Sequence, residues 1–177
     1  LAVGNDVTGL RRAEESIRES KAFLDMVVDM SPFAMWISDN GGTIIRVNRS
    51  LCEAINLTEN EIIGSYNVFD DLNLELQGVM TDVRAVFEKH RPARFNILWK
   101  AADASRNGMK SGRDMHIDVS MFPIVNSLGE LTNVVCQWID ITEQKRAEAA
   151  IRASEERYRS TLDNMMEGCQ IIDRDWR

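Results

Sequence analysis

The chain has 177 residues, 44% of them hydrophobic and 28% charged, with a formal net charge of -7. That length suits one domain of ordinary size with appendages, and the composition is that of a soluble globular protein, too apolar for disorder. The acidic balance excludes a nucleic-acid partner, which needs Lys and Arg clustered on one face, and no apolar run reaches the roughly 18–20 residues of a membrane span. Leu1-Ala2-Val3-Gly4-Asn5-Asp6 has neither an initiator Met nor a signal-peptide layout, so it is expected to be an internal point of a longer polypeptide. Cys52, Cys136 and Cys169 are odd in number and far apart, which disfavours a disulfide framework or a zinc site and points to a reducing, cytoplasmic setting.

In chain order, the first 30 residues are expected to be a linker helix. Leu10, Ile17 and Leu24 recur every seven residues, Ala13, Ser20 and Val27 take the companion position, and charged residues fill the remainder. The pattern is a solvated helix with one narrow apolar seam. Such a seam serves either a surface helix packed on its own domain or a parallel two-stranded coiled coil between protomers. Phe33 to Ser38 and Thr43 to Asn48 are strands of a hairpin turning through Asp39-Asn40-Gly41-Gly42, where glycine tolerates positive φ. Arg49 to Ile55 and Glu59 to Ile63 are short helices, with Thr58 placed to cap the second. A longer amphipathic helix is expected over Leu74 to His90, closed by Pro92.

Phe95, Ile97 and Trp99 alternate with Arg94, Asn96 and Lys100, as Met115, Ile117, Val119 and Met121 do with Asp114, His116, Asp118 and Ser120. Both segments are strands with one buried face. Ala101 to Gly112 between them is long and polar for a hairpin, either a lid or plain disorder. After a turn at Asn126 to Gly129, Leu131 to Ile141 is apolar on both sides, so its outward side is expected to be covered. Asp140 and Thr142 then offer caps, and Glu143 a favourable first-turn charge, to a second helix.

Sliding the chain by 134 positions, so that 6 falls on 140, places eleven residues on identical ones: Asp6, Thr8, Arg12, Ala13, Glu14, Ile17, Arg18, Ser20, Asp29, Ile37 and Asp39. An ungapped register of that kind marks a tandem repeat. The expected layout is a linker helix from a preceding unit over 1–30, a domain over 31–142, a linker helix over 143–164, and the truncated start of a further unit over 165–177. The orphan strand of that last piece, Gly168 to Trp176, should be disordered or borrowed by a partner.

Asp140-Ile141-Thr142-Glu143 running into Lys145-Arg146-Ala147-Glu148, preceded by Asp39-x-Gly41, Val47-Asn48, Glu61-Ile62-Ile63-Gly64 and Phe122-Pro123-Ile124, resembles the PAS domain (PAS/PAC, S-box type). The resemblance covers about residues 31–142. It implies the α+β PAS fold, a five-stranded antiparallel sheet with short helices on one side, curled around a small cavity and flanked by N- and C-terminal linker helices. It further implies a sensory or signal-transmission module of a multidomain two-component protein, most often a sensor histidine kinase, with the core coupled to an output helix through the Asp-Ile-Thr junction. A nucleotide-cyclase-type receptor and a ligand-free dimerisation spacer are the alternatives. The implied partners are a second copy, as a homodimer through the linker helices, and the neighbouring PAS and output domains, with no membrane contact by this segment.

The segment itself is not expected to be an enzyme, because no nucleophile and base stand at a recognisable spacing. Cofactor classes carried by the family meet specific obstacles here. LOV-type flavin sensors carry a reactive Cys where Gly64-Ser65-Tyr66-Asn67-Val68-Phe69 has Asn67, and Trp138 stands where they place a flavin-contacting Gln. Haem-binding members supply an axial His from the long helix, whereas Leu74 to Glu88 has none. His90 is expected to be solvated or helix-capping, and His116 to lie on the surface. No cofactor or metal is therefore expected. The candidate cavity lining is Met35, Ile37, Leu51, Ile55, Phe69, Phe87, Ile97, Trp99, Ile117, Val119, Met121, Cys136 and Trp138. These side chains either pack on one another or admit a small apolar ligand, for which Asn96 would be the fixed hydrogen-bonder. Asp140, Thr142 and Glu143 form the expected signal junction.

Overall fold

The strand signals assemble into one sheet, in a computed structural model that describes residues 8–100 and 114–168. Its strands are β1 (Ala34–Asp39), β2 (Ile44–Val47), β3 (Ala93–Trp99), β4 (Met115–Val125) and β5 (Leu131–Asp140), in the spatial order β2-β1-β5-β4-β3. Strand β1 pairs antiparallel with β2 and with β5, and β3 pairs antiparallel with β4. The hairpin turn is tied by Asp39, whose Oδ1 accepts the amides of Gly41 and Thr43, both at 2.9 Å. Gly42 completes it at φ 85°, where a Cβ would come within 2.8 Å of the Phe69 ring. Only glycine meets both demands.

Helices follow where the sequence pattern puts them, with one exception. Helix α1 (Thr8–Asp29) precedes the sheet, and α2 (Arg49–Ile55) is capped by Asn48. Thr58 and Glu61 form a reciprocal capping box at α3 (Glu59–Ile62), satisfying two otherwise orphaned amides. The exception is the helix expected over Leu74 to His90. It is split into α4 (Leu72–Leu76) and α5 (Met80–Lys89), because Gly78 takes φ 74° between them. The side-chain amide of Gln77, beside that glycine, donates to the Leu98 carbonyl and its oxygen accepts the Leu98 amide. The break thus docks on the sheet edge. His90 ends α5 as its C-cap in the left-handed conformation, a position His tolerates.

Strand pairing divides the sheet into two faces, since residues directly opposite share a side. Ala34, Trp36 and Ser38 face inward opposite Trp138, Cys136 and Val134, whereas Met35 and Ile37 face outward opposite Gln137 and Val135. The inward set joins Ile44, Val47, Leu51, Ile55, Val83, Val86, Ile97 and Ile117 in the hydrophobic core. On the outward side of β5, Val135 is buried but Gln137 and Ile139 are half-buried, so the expected cover is incomplete.

Buried Asn48 ties α1 to this sheet. Its Oδ1 accepts the amides of Met35 and Leu51, and its Nδ2 donates to the carbonyls of Val28 and Phe33. Arg46 of β2 pairs with Asp25 of α1. Beyond those anchors α1 is uncovered, with Leu10, Ile17 and Leu24 all more than half exposed.

The remaining compact unit starts at Asp140 and is the helix α6 (Thr142–Gly168). Its ion pairs Glu143–Arg146 and Lys145–Glu148 lie on the exposed surface, and Ile151, Tyr158 and Leu162 are exposed as well. The helix continues past position 164 to Gly168. Apart from Gly168 itself, the expected orphan strand lies outside the described residues, as do the Ala101 to Gly112 segment and the first seven residues.

Candidate functional site

Between the inner face of the sheet and the segment from Tyr66 to Leu74 lies a cavity with about 20 Å³ of room for the centre of a water-sized sphere. That suffices for a water or two, because one water needs roughly 10–15 Å³ by the same measure. Strands contribute Trp36, Phe95, Ile97, Trp99, Val119, Met121, Cys136 and Trp138; the connecting segment contributes Tyr66, Val68, Asp71 and Leu74. Five of these twelve residues are aromatic, and the Trp99 and Trp138 rings sit 5.6 Å apart at a 42° tilt.

Polar groups are few. Asp71, almost fully buried, caps α4 by accepting the Asn73 amide at 2.8 Å and also accepts the Tyr66 hydroxyl. Burial, then the adjacent Asp71 carboxylate, holds the Tyr66 phenol well above its usual range, so Tyr66 remains a donor at any physiological pH. Burial likewise pushes the Cys136 thiol far up, against a hydrogen bond from Trp138, which leaves it an inert thiol. The Trp99 indole N–H is buried without a hydrogen-bond partner among the described residues, a costly state for a donor.

Six of the expected lining residues meet at this cavity: Ile97, Trp99, Val119, Met121, Cys136 and Trp138. Others do not. Met35 and Ile37 are corrected to the opposite face of β1, because Trp36 between them points inward. Asn96 is corrected for the same reason, being exposed on the outer side of β3 while Phe95 and Ile97 face in; it cannot hold a guest. Leu51, Ile55, Phe87 and Ile117 are buried core residues that pack elsewhere, and Phe69 meets Phe87 edge-on at 4.8 Å. Trp36 and Phe95 were within reach of the two-residue alternation; Tyr66, Val68 and Asp71 sit in an aperiodic segment with no such signal.

At the end of β5, Asp140 Oδ1 accepts the Thr142 amide at 2.9 Å, and the Ile141 carbonyl accepts the first helical bond from Lys145 at 2.9 Å. Asp140 therefore supplies one of the acceptors that the start of α6 needs. Glu143 adds first-turn negative charge, favourable at a helix N-terminus. Among the described residues there is no group of three or more His, Cys, Asp or Glu that could hold a metal, and no helix long and apolar enough to cross a membrane.

A family model described as PAS domain matches residues 32–143. In sequence the chain is 24% identical over 139 residues to the virulence sensor protein BvgS of Bordetella pertussis, covering 76% of this chain and 10% of that protein. The chain thus spans about a tenth of the length of that relative. The structure of the PAS domain of the same BvgS superposes with a TM-score of 0.54 at 19% identity, covering 78% of this chain and 98% of that one. The PAS domain of an HTR-like protein from Haloarcula marismortui gives 0.55 at 23% identity, over 74% and 99%. A PAS domain from a two-component sensor histidine kinase gives 0.52 at 11% identity, over 70% and 97%.

Proposed function

The chain belongs to the PAS domain family, and we propose that it is a non-catalytic, cytoplasmic sensory and signal-transmission module of a larger two-component protein, a sensor histidine kinase in the first instance. The likeness to a virulence sensor protein and to a PAS domain of a sensor histidine kinase supports that parentage. The observation that carries the transmission role is local. One residue, Ile141, separates the last residue of β5 from the first of α6, and the Asp140 carboxylate bridges that gap to the Thr142 amide. Trp138 of the cavity wall lies two residues upstream. A shift of β5 that moves Asp140 would weaken a cap worth about 1 kcal/mol, which biases a two-state linker about fivefold. The small cavity favours a guest of about two heavy atoms.

The exposed seam of α1 at Leu10, Ile17 and Leu24 favours a second, compatible role, homodimerisation through the linker helices. The test of transmission is Asp140→Ala in the parent protein. Output should uncouple from stimulus while the near-ultraviolet circular dichroism of the isolated segment stays as in the wild type; unaltered signalling would refute the junction.

A further inference from the structure

We propose that the cavity is a recognition site for a compact alkylammonium cation, an identification of ligand class that rests on the sensory role proposed above. The walls present five aromatic rings, those of Trp36, Tyr66, Phe95, Trp99 and Trp138, together with the Asp71 carboxylate. Among the described residues, no Lys, Arg or His lines the cavity. Aromatic faces carry the negative side of the ring quadrupole, and a desolvated cation among several of them gains more than it does at an exposed site, with Trp the best partner. The three tryptophans of this wall are three of the four in the whole chain.

Charge and shape point to the same class. Among the described residues, the ionisable side chains of the lining are acidic or weakly acidic, Asp71, Tyr66 and Cys136, so an anion would meet a like charge with no basic group among them to offset it. The Tyr66 hydroxyl donates a hydrogen bond to Asp71, which leaves the phenol oxygen lone pairs as acceptors for an N–H or a polarised N–CH₃ group. A net charge of -7 raises the concentration of cations around the whole protein. A cavity of about 20 Å³ restricts the guest to about two heavy atoms, the size of methylammonium, because one water takes roughly 10–15 Å³.

The direct test is titration of the full chain with methylammonium chloride, following tryptophan emission, since three of four tryptophans line the site. Sodium chloride and methanol at matched concentrations control for ionic strength and for filling by a neutral molecule of the same size. A saturable change in emission with methylammonium, and none with either control, is expected. Asp71→Asn, which keeps the oxygen that caps α4, should weaken binding about thirtyfold. Trp138→Leu, which leaves Asp71 in place, should weaken it about tenfold by the same ring-face argument. The assignment is overturned if methylammonium gives no saturable change, if methanol binds as tightly, or if both variants bind like the wild type. Those results would leave the Asp140→Ala test of transmission untouched, because that test reads output and not binding.

Discussion

Helix α1 and the inner face of the sheet both carry an apolar stripe at the period their secondary structure demands, yet one is covered by its own chain and the other is not. Ile117 on the sheet is 2% exposed; Ile17 on the helix is 69% exposed. Burial in the first case is complete within the unit, so its energy is already part of the fold. The α1 seam leaves its apolar area in water, and only the Asn48 and Arg46 contacts near its C-terminal end tie it down. The difference separates residues that make the domain from residues available to join it to something else.

The largest effect that could break this comparison is on stability. Ile117→Ala should cost about 3 kcal/mol in urea denaturation, as truncation in a close-packed core does. Leu24→Ala should change it by less than about 0.5 kcal/mol in the monomer. Equal costs would mean that the seam packs on its own domain. A smaller effect sharpens the comparison: Ile17→Lys combined with Leu24→Lys should weaken self-association at least about tenfold in sedimentation equilibrium, with the melting temperature of the dilute protein unchanged. A monomeric wild type at high concentration would leave the seam without a homodimeric role.

Most of the scaffold was legible in the sequence for a physical reason: period-two alternation over β3 and β4, the turn at Asp39, and the Thr58 cap are local signals, and local chemistry decides them. Two kinds of feature escaped. A single-residue parity error put Met35 and Ile37 in the cavity in place of Trp36, because β1 is apolar on both faces and alternation alone gives no preference. The break at Gly78 was hidden by amphipathic spacing that continues on both sides of it, and it is settled by Gln77 docking on Leu98, a contact 21 positions away in the chain. Asp71 and Tyr66, the polar end of the cavity, lie in short capped turns whose side chains are placed by tertiary packing and not by any period. The bond from the Thr142 amide to Asp140 was visible because a cap is a two-residue matter.

Amide hydrogen exchange over the first turn of α6, Thr142 to Lys145, reads transmission from cavity to helix without any output domain. In Trp138→Leu, a change confined to the cavity wall, exchange of those amides should shift about fivefold relative to the wild type, matching the shift in Asp140→Ala. Exchange there that stays at the wild-type rate in Trp138→Leu, while tryptophan emission reports an altered cavity, would mean that the cavity and the start of α6 are uncoupled.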